Sequence, residues 1–268
     1  MNQWKHCFKN DTVLKQEIQL GFYSKLRTNY GLTFDAMLQV AGPDIVRHIY
    51  DARRTVLCHP NSILRIVDID KSIIEAQKAE LGSLYWPGKR GPLWQSEVRM
   101  FPDQSLFSAG DFFPLYHNIE FHNNDIRRVY PEKFIDADLM TTIKTCGHAL
   151  KDTLKRQRQA FPFNGQDAND LKVFIFTISI RAGGGLVDNM KWIEKDLASC
   201  IGCEIKYADR NRQTWARGTT VSGTGSFATY CHKYDYERAI PNGILEESVL
   251  HLYNDDGGPM LTGIIIYH

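Results

Sequence analysis

No stretch of the chain approaches the ~20 uninterrupted apolar residues that a bilayer-spanning helix needs. The longest apolar run, Gly263 to Tyr267, is strand-sized, so no membrane partner is expected. Neither sign of charge is in excess: 32 basic side chains face 31 acidic ones, for a net charge of +1. That balance excludes a polybasic coat for nucleic acid or a membrane surface and leaves only local patches. Cysteine is sparse, with 6 residues scattered over positions 7, 58, 146, 200, 203 and 231, which fits reduced thiols and excludes a disulfide framework. No apolar segment follows the polar stretch Met1 to Asp11, so a secretory signal is not expected and a cytoplasmic location is. Two phosphate-binding motifs are missing as well. The fingerprint G-x-G-x-x-G does not occur, and Gly183-Gly184-Gly185 is not followed by the Lys-Ser/Thr of a P-loop.

What is present describes a globular chain of 268 residues, 43% apolar and 24% charged, long enough for one large domain carrying an insertion. A loosely amphipathic pattern over residues 12 to 30 predicts a leading helix. Apolar runs at Phe34 to Ala41 and Ile63 to Ile69 read as strands, each followed by helical spacing, at Ile45 to Arg53 and Lys71 to Leu81. Residues 82 to 116 crowd Gly and Pro around Trp86 and Trp94 and read as an insertion. Strands are then expected at Ile119 to His122, Lys133 to Leu139 and Leu171 to Ile180, with helices at Thr141 to Ala160 and Val187 to Cys200. The C-terminal 68 residues read as strands at 204–208, 229–234, 248–253 and 260–267, with a hairpin turn at Asn254 to Gly258. The expected fold is therefore α/β: a doubly wound, mostly parallel sheet with helices on both faces and an antiparallel C-terminal hairpin.

Such sheets bind ligands outside the carboxyl ends of their strands, so the residues just after each strand matter most. Ala41-Gly42-Pro43-Asp44 is a small-residue turn that brings backbone close to a ligand, although it also serves as a plain turn. Asp68 ends the second strand about 26 residues beyond Gly42, near the separation at which an acidic residue meets a ribose diol. Asp70 suits the N-cap of the following helix. Asp125, or alternatively Asp111 in the insertion, is placed to accept from an exocyclic amine; either also fits a turn. Asp136 and Asp138 share one face of a strand whose neighbours Phe134 and Ile135 are apolar, and such a pair can hold a metal ion or act as base and orienting acceptor.

This order of strands, helices and strand-end residues resembles class I S-adenosylmethionine-dependent methyltransferases over roughly residues 34 to 268, the insertion excepted. The resemblance implies S-adenosylmethionine as cofactor, with Ala41 and Gly42 along its methionine part, Asp68 on the ribose and Asp125 on the adenine amine. Asp136 and Asp138 would border the transferred methyl and act catalytically, with Tyr85, Trp86 and Trp94 as aromatic walls. The first loop holds less glycine than the family's usual one. The fourth strand lacks the Asp/Asn-Pro-Pro-aromatic tetrapeptide of amino-group DNA methyltransferases, and no Pro-Cys pair serves cytosine-C5 chemistry. The acceptor thus stays open, with nucleic acid or a nucleotide among the candidates. The Tyr253-Asn254-Asp255 hairpin with Pro259-Met260 resembles virus-encoded members of the family.

Two other readings remain. Asp68-Ile69-Asp70 and Asp136-Ala137-Asp138 are both D-x-D pairs, which suit a metal-dependent sugar-nucleotide enzyme of glycosyltransferase type. A protein of the same fold that binds without catalysis is the third. Cys200 and Cys203 with Cys231-His232 match a zinc site poorly and read as thiols, and His117 and His122 read as surface histidines. Lys151 to Arg158 with Arg127-Arg128 reads either as a solvated helix face or as a basic stripe for an anion.

Overall fold

The computed structural model describes residues 13–41, 45–59, 61–85, 118–139, 141–163, 170–180, 185–207, 235–255 and 258–268. Gly42, Trp86, Trp94, Asp111, His117, Cys231, His232 and the expected strand 229–234 lie outside them. Helix α1 (Val13–Tyr30) precedes β1 (Ala36–Val40), α2 (Ile45–Thr55), β2 (Ile63–Asp68) and α3 (Lys71–Tyr85). Then come β3 (Ile119–Asn123), a 3-10 turn at Ile126–Arg128, β4 (Phe134–Asp138), α4 (Ile143–Ala160) and β5 (Lys172–Ser179). Helix α5 (Gly185–Lys191) continues as a π-helical stretch, Trp192–Leu197, and a 3-10 turn, Ala198–Ile201. Strands β6 (Asp235–Arg238), β7 (Leu245–Asp255) and β8 (Gly258–Tyr267) complete the order.

The eight strands form one sheet in the order β3-β2-β1-β4-β5-β8-β7-β6. β1 to β5 pair in parallel, whereas β8 runs antiparallel between β5 and β7. The doubly wound sheet and its antiparallel C-terminal hairpin are thus as the sequence predicts. The hairpin is not itself outermost: β6 takes that position, and β8 is buried on both faces, which its unbroken Gly263 to Tyr267 apolar run requires. Of the expected strand 204–208, the described residues 204–207 form only a bridge from Tyr207 to Ala239.

Alternation along the strands divides the core in two. Met37, Leu64, Phe134, Ile175 and Ile264 face one side and meet Ile18, Phe22, Tyr23 and Leu26 of α1 with Ile45, Ile49 and Ile74 of α2 and α3. Leu38, Ile135, Phe176 and Ile265 face the other and meet Leu150 and Leu154 of α4, Ile193 and Leu197. Strand order reverses between β1 and β4, so their carboxyl ends flank the crevice in which doubly wound folds bind ligands. Among the described residues no helix is long and apolar enough to cross a membrane.

Candidate active site

Asp136 and Asp138 end β4 on the face that α1 covers, and both are buried, at 0% and 6% exposure. The Tyr23 hydroxyl donates to Asp136 Oδ2, and the Lys15 ammonium pairs with Asp138 Oδ2. Lys15, Gln19 and Tyr23 stand four residues apart on α1, so they form one stripe along the helix, with Gln19 one turn from each neighbour. Gln39, opposite Asp136 in register, donates to the Tyr23 hydroxyl and contacts His48 Nδ1, both at 3.3 Å. The carboxylates expected at an open cleft mouth therefore lie beneath a helix, each already bound to one of its side chains.

Charge and hydrogen bonding are unbalanced there. Two carboxylates share one ammonium group, and desolvation pushes the Asp136 carboxyl up to about 6, with the nearby Asp138 charge raising it and the Tyr23 hydrogen bond and the His48 and Lys15 charges opposing. Burial, then Asp136, raises the Tyr23 phenol well above its ordinary range, so it stays a proton donor. Asp136 Oδ1, Gln39 Oε1 and both amide atoms of Gln19 are buried with no hydrogen-bond partner among the described residues. Each buried orphan costs roughly 1 to 3 kcal/mol. Orphaned acceptors beside an excess negative charge fit a ligand group that carries hydrogen-bond donors or positive charge.

Asp68 stands half-buried at the end of β2, and burial raises its carboxyl above the usual range. Its Oδ1 accepts from the Asp70 backbone N–H at 2.7 Å. Asp70 accepts from the Ser72 hydroxyl at 2.7 Å and the Ser72 N–H at 2.8 Å at the start of α3, the capping geometry expected of it, and these bonds hold its carboxyl below the usual range. Ala41 is buried, and its carbonyl accepts from Gln77 of α3 at 2.8 Å. Asp125 caps the turn Ile126–Arg128: its Oδ1 accepts from Arg127 N–H and Nε, both at 2.9 Å, and its Oδ2 from the second guanidinium arm at 2.5 Å. Arg127 thus holds the Asp125 carboxyl below its ordinary value.

Sequence reasoning missed Lys15, Gln19, Tyr23 and Gln39. For the first three the signal was available in α1, where the polar series 15, 19, 23 runs beside the apolar series Ile18, Phe22, Leu26 instead of opposite it. Among the described residues no group of three or more His, Cys, Asp or Glu side chains is placed to hold a metal ion.

Solved structures to which the chain is similar include methyltransferases. One is the N-methyltransferase NodS from Bradyrhizobium japonicum WM9, 8% identical with a TM-score of 0.40, covering 96% of this chain and 98% of that chain. Another is the plantazolicin methyltransferase BpumL in complex with a pentazolic desmethylPZN analog and SAH, 8% identical with a TM-score of 0.44, covering 98% of this chain and 89% of that chain. No family model matches the chain. No curated protein matches its sequence.

Proposed function

We propose that the protein is a cytoplasmic S-adenosylmethionine-dependent methyltransferase whose cofactor lies across the carboxyl ends of β1, β2 and β4. One observation carries the reading. A buried carboxylate, Asp136, pushed up to about 6 by desolvation against the opposing Tyr23 hydrogen bond and the His48 and Lys15 charges, keeps an unpaired oxygen beside the switch point of a doubly wound sheet. S-adenosylmethionine suits that environment, because it supplies an electrophilic methyl on a cationic sulfur and also carries an ammonium group.

In this reading residues 1–268 form one methyltransferase-like domain, with the 82–116 insertion as a substrate wall. Asp68 accepts from the ribose hydroxyls, Ala41 and Gly42 line the methionine part, and Asp125 stands on the adenine side. Asp136 and Asp138 border the methyl. As the acceptor's nucleophilic atom forms its bond to the methyl carbon, the carbon–sulfur bond breaks and the acceptor loses a proton. Asp136, raised to about 6, is suited to receive that proton near neutral pH. Tyr23 and Lys15 hold the two carboxylates in place by direct contact. The sugar-nucleotide reading is less favoured, since Lys15 already neutralises Asp138 and Asp70 is engaged in capping.

Calorimetry with S-adenosylmethionine and S-adenosylhomocysteine, without added metal, tests the reading. Binding of the cationic compound should tighten as pH rises through about 6, because only ionised Asp136 attracts it, and the thioether should respond less. Asp68→Ala should weaken binding by about 1 to 3 kcal/mol in a folded protein. Once an acceptor is found by screening nucleic acids, small amines and proteins with labelled cofactor, Asp136→Asn should lower turnover by roughly 10²- to 10⁴-fold. No heat with either compound, together with binding of a nucleoside diphosphate sugar in Mn²⁺, would favour the rival.

A further inference from the structure

The opposite edge of the sheet carries a second feature. Where α4 ends beside the 3-10 turn Ala198–Ile201, a cavity of about 320 Å³ opens, lined by Lys155, Arg158, Gln159, Ser199 and Cys200. That volume lies in the range of small-molecule sites. The lining contains two cations and no carboxylate.

Three other cations of this helix and its neighbouring turn are engaged. Lys151 pairs with Asp196 at 3.5 Å, Arg156 donates to the Arg127 carbonyl, and Arg127 is bound by Asp125. Lys155 and Arg158, the two that reach the cavity, have no ion-pair partner among the described residues. Their charge is felt by their neighbours. Burial lowers the Lys172 ammonium first, but Lys133 and Arg158 lower it further against the pull of Asp170. Burial raises the Cys200 thiol, and Lys155 and Lys151 pull it back.

The position of the Arg158 guanidinium is built into the backbone. Gly202 adopts φ +84°, a left-handed conformation that closes the turn, and a Cβ there would come within 2.6 Å of both terminal guanidinium nitrogens. The guanidinium therefore rests on bare glycine, in a place that any other residue would deny it. A planar fork, a point charge and an amide around one cavity make a donor set suited to a tetrahedral oxyanion, while the Ser199 hydroxyl donates its proton to the Asp196 carbonyl at 2.8 Å.

We propose that this cleft binds the phosphate group of a small phosphomonoester, at a site separate from the carboxyl-edge crevice. It does not rest on the methyltransferase reading. The test is calorimetry with inorganic phosphate, glycerol 3-phosphate and a single-stranded oligonucleotide, on the full chain and on variants whose fold is checked by circular dichroism. Glycerol 3-phosphate should bind the wild type with a 1:1 stoichiometry, and Arg158→Met and Lys155→Met should each weaken it at least tenfold. Gly202→Ala should do the same without removing a charge, because it displaces the guanidinium; if that variant does not fold, Arg158→Met decides alone. Asp68→Ala should leave phosphate binding unchanged, which separates the two sites. Equal binding by wild type and Arg158→Met would overturn the proposal. So would binding of the oligonucleotide without either phosphate compound, which would make the surface a nucleic-acid contact instead.

Discussion

Two clusters of buried glutamine lie at opposite edges of the same sheet, and they are furnished differently. At the amino edge, Gln157 of α4 is fully buried, and its Nε2 reaches the carbonyls of Glu132, Lys133 and Val173 at 2.8, 3.0 and 3.1 Å. Its Oε1 accepts from the Tyr267 hydroxyl at 3.0 Å, so this amide ties α4 to β4, β5 and β8. At the carboxyl edge, Gln19 has neither amide atom paired among the described residues, and Gln39 and Asp136 each leave an oxygen bare. A satisfied buried network stabilises the fold, whereas an unsatisfied one costs stability and marks a place where something else belongs.

The largest effect that would break this contrast is at Gln157. Gln157→Leu should strip the Glu132 carbonyl and the Tyr267 hydroxyl of this partner, while the Lys133 carbonyl keeps the Val173 N–H at 2.8 Å, for a loss of several kcal/mol at roughly 1 to 3 per buried orphan, read from urea unfolding. A loss below about 1 kcal/mol would show that the two clusters do not differ.

Asp136 comes next, with a definite sign. Its folded carboxyl is raised above the unfolded value, so the native state binds more protons between about pH 4 and 6, and its contribution to stability falls as pH rises through that window. Holding a carboxyl at about 6 instead of its ordinary value near 4 makes that loss roughly 3 kcal/mol. Asp136→Asn should therefore be more stable than wild type at pH 7, with the advantage vanishing below about pH 4. A pH-independent difference would place the cost elsewhere. The smallest loss is expected at Gln19: Gln19→Leu should lose no stability and should gain some in urea unfolding, since the amide makes no bond to lose and two buried orphans are removed.

The strands at the heart of this contrast were readable from local pattern. The β-branched runs at Ile63 to Asp68 and Lys172 to Ser179, and the cap at Asp70, depend on neighbours in sequence, and the structure places them where that pattern does. The environment of the site was not readable in the same way. Asp136 and Asp138 show their shared face in sequence, but only packing decides that Tyr23 and Lys15, more than a hundred residues earlier, cover that face. Asp125 likewise looks like a free strand-end carboxylate until Arg127 folds back onto it. The π-helical turn at Trp192–Leu197 has no sequence signature beyond ordinary helical spacing; there Trp192 lies against Gly147, where an added Cβ would come within 3.2 Å of the indole.

The place of β8 has a consequence for assembly during synthesis. This strand follows every other in sequence yet sits inside the sheet, pairing Lys172 with Tyr267 on one side and Leu245 with Tyr267 on the other. Until it emerges from the ribosome, β5 presents a bare edge of apolar residues, and β7 has no partner on that side. The parallel half can collect its own helices early, but closure of the sheet must wait for β8, whose pairing with β5 is non-local in sequence and forms slowly. Nascent chains stalled before Gly258 has emerged should for that reason be held by chaperones far longer than chains from which Tyr267 has emerged.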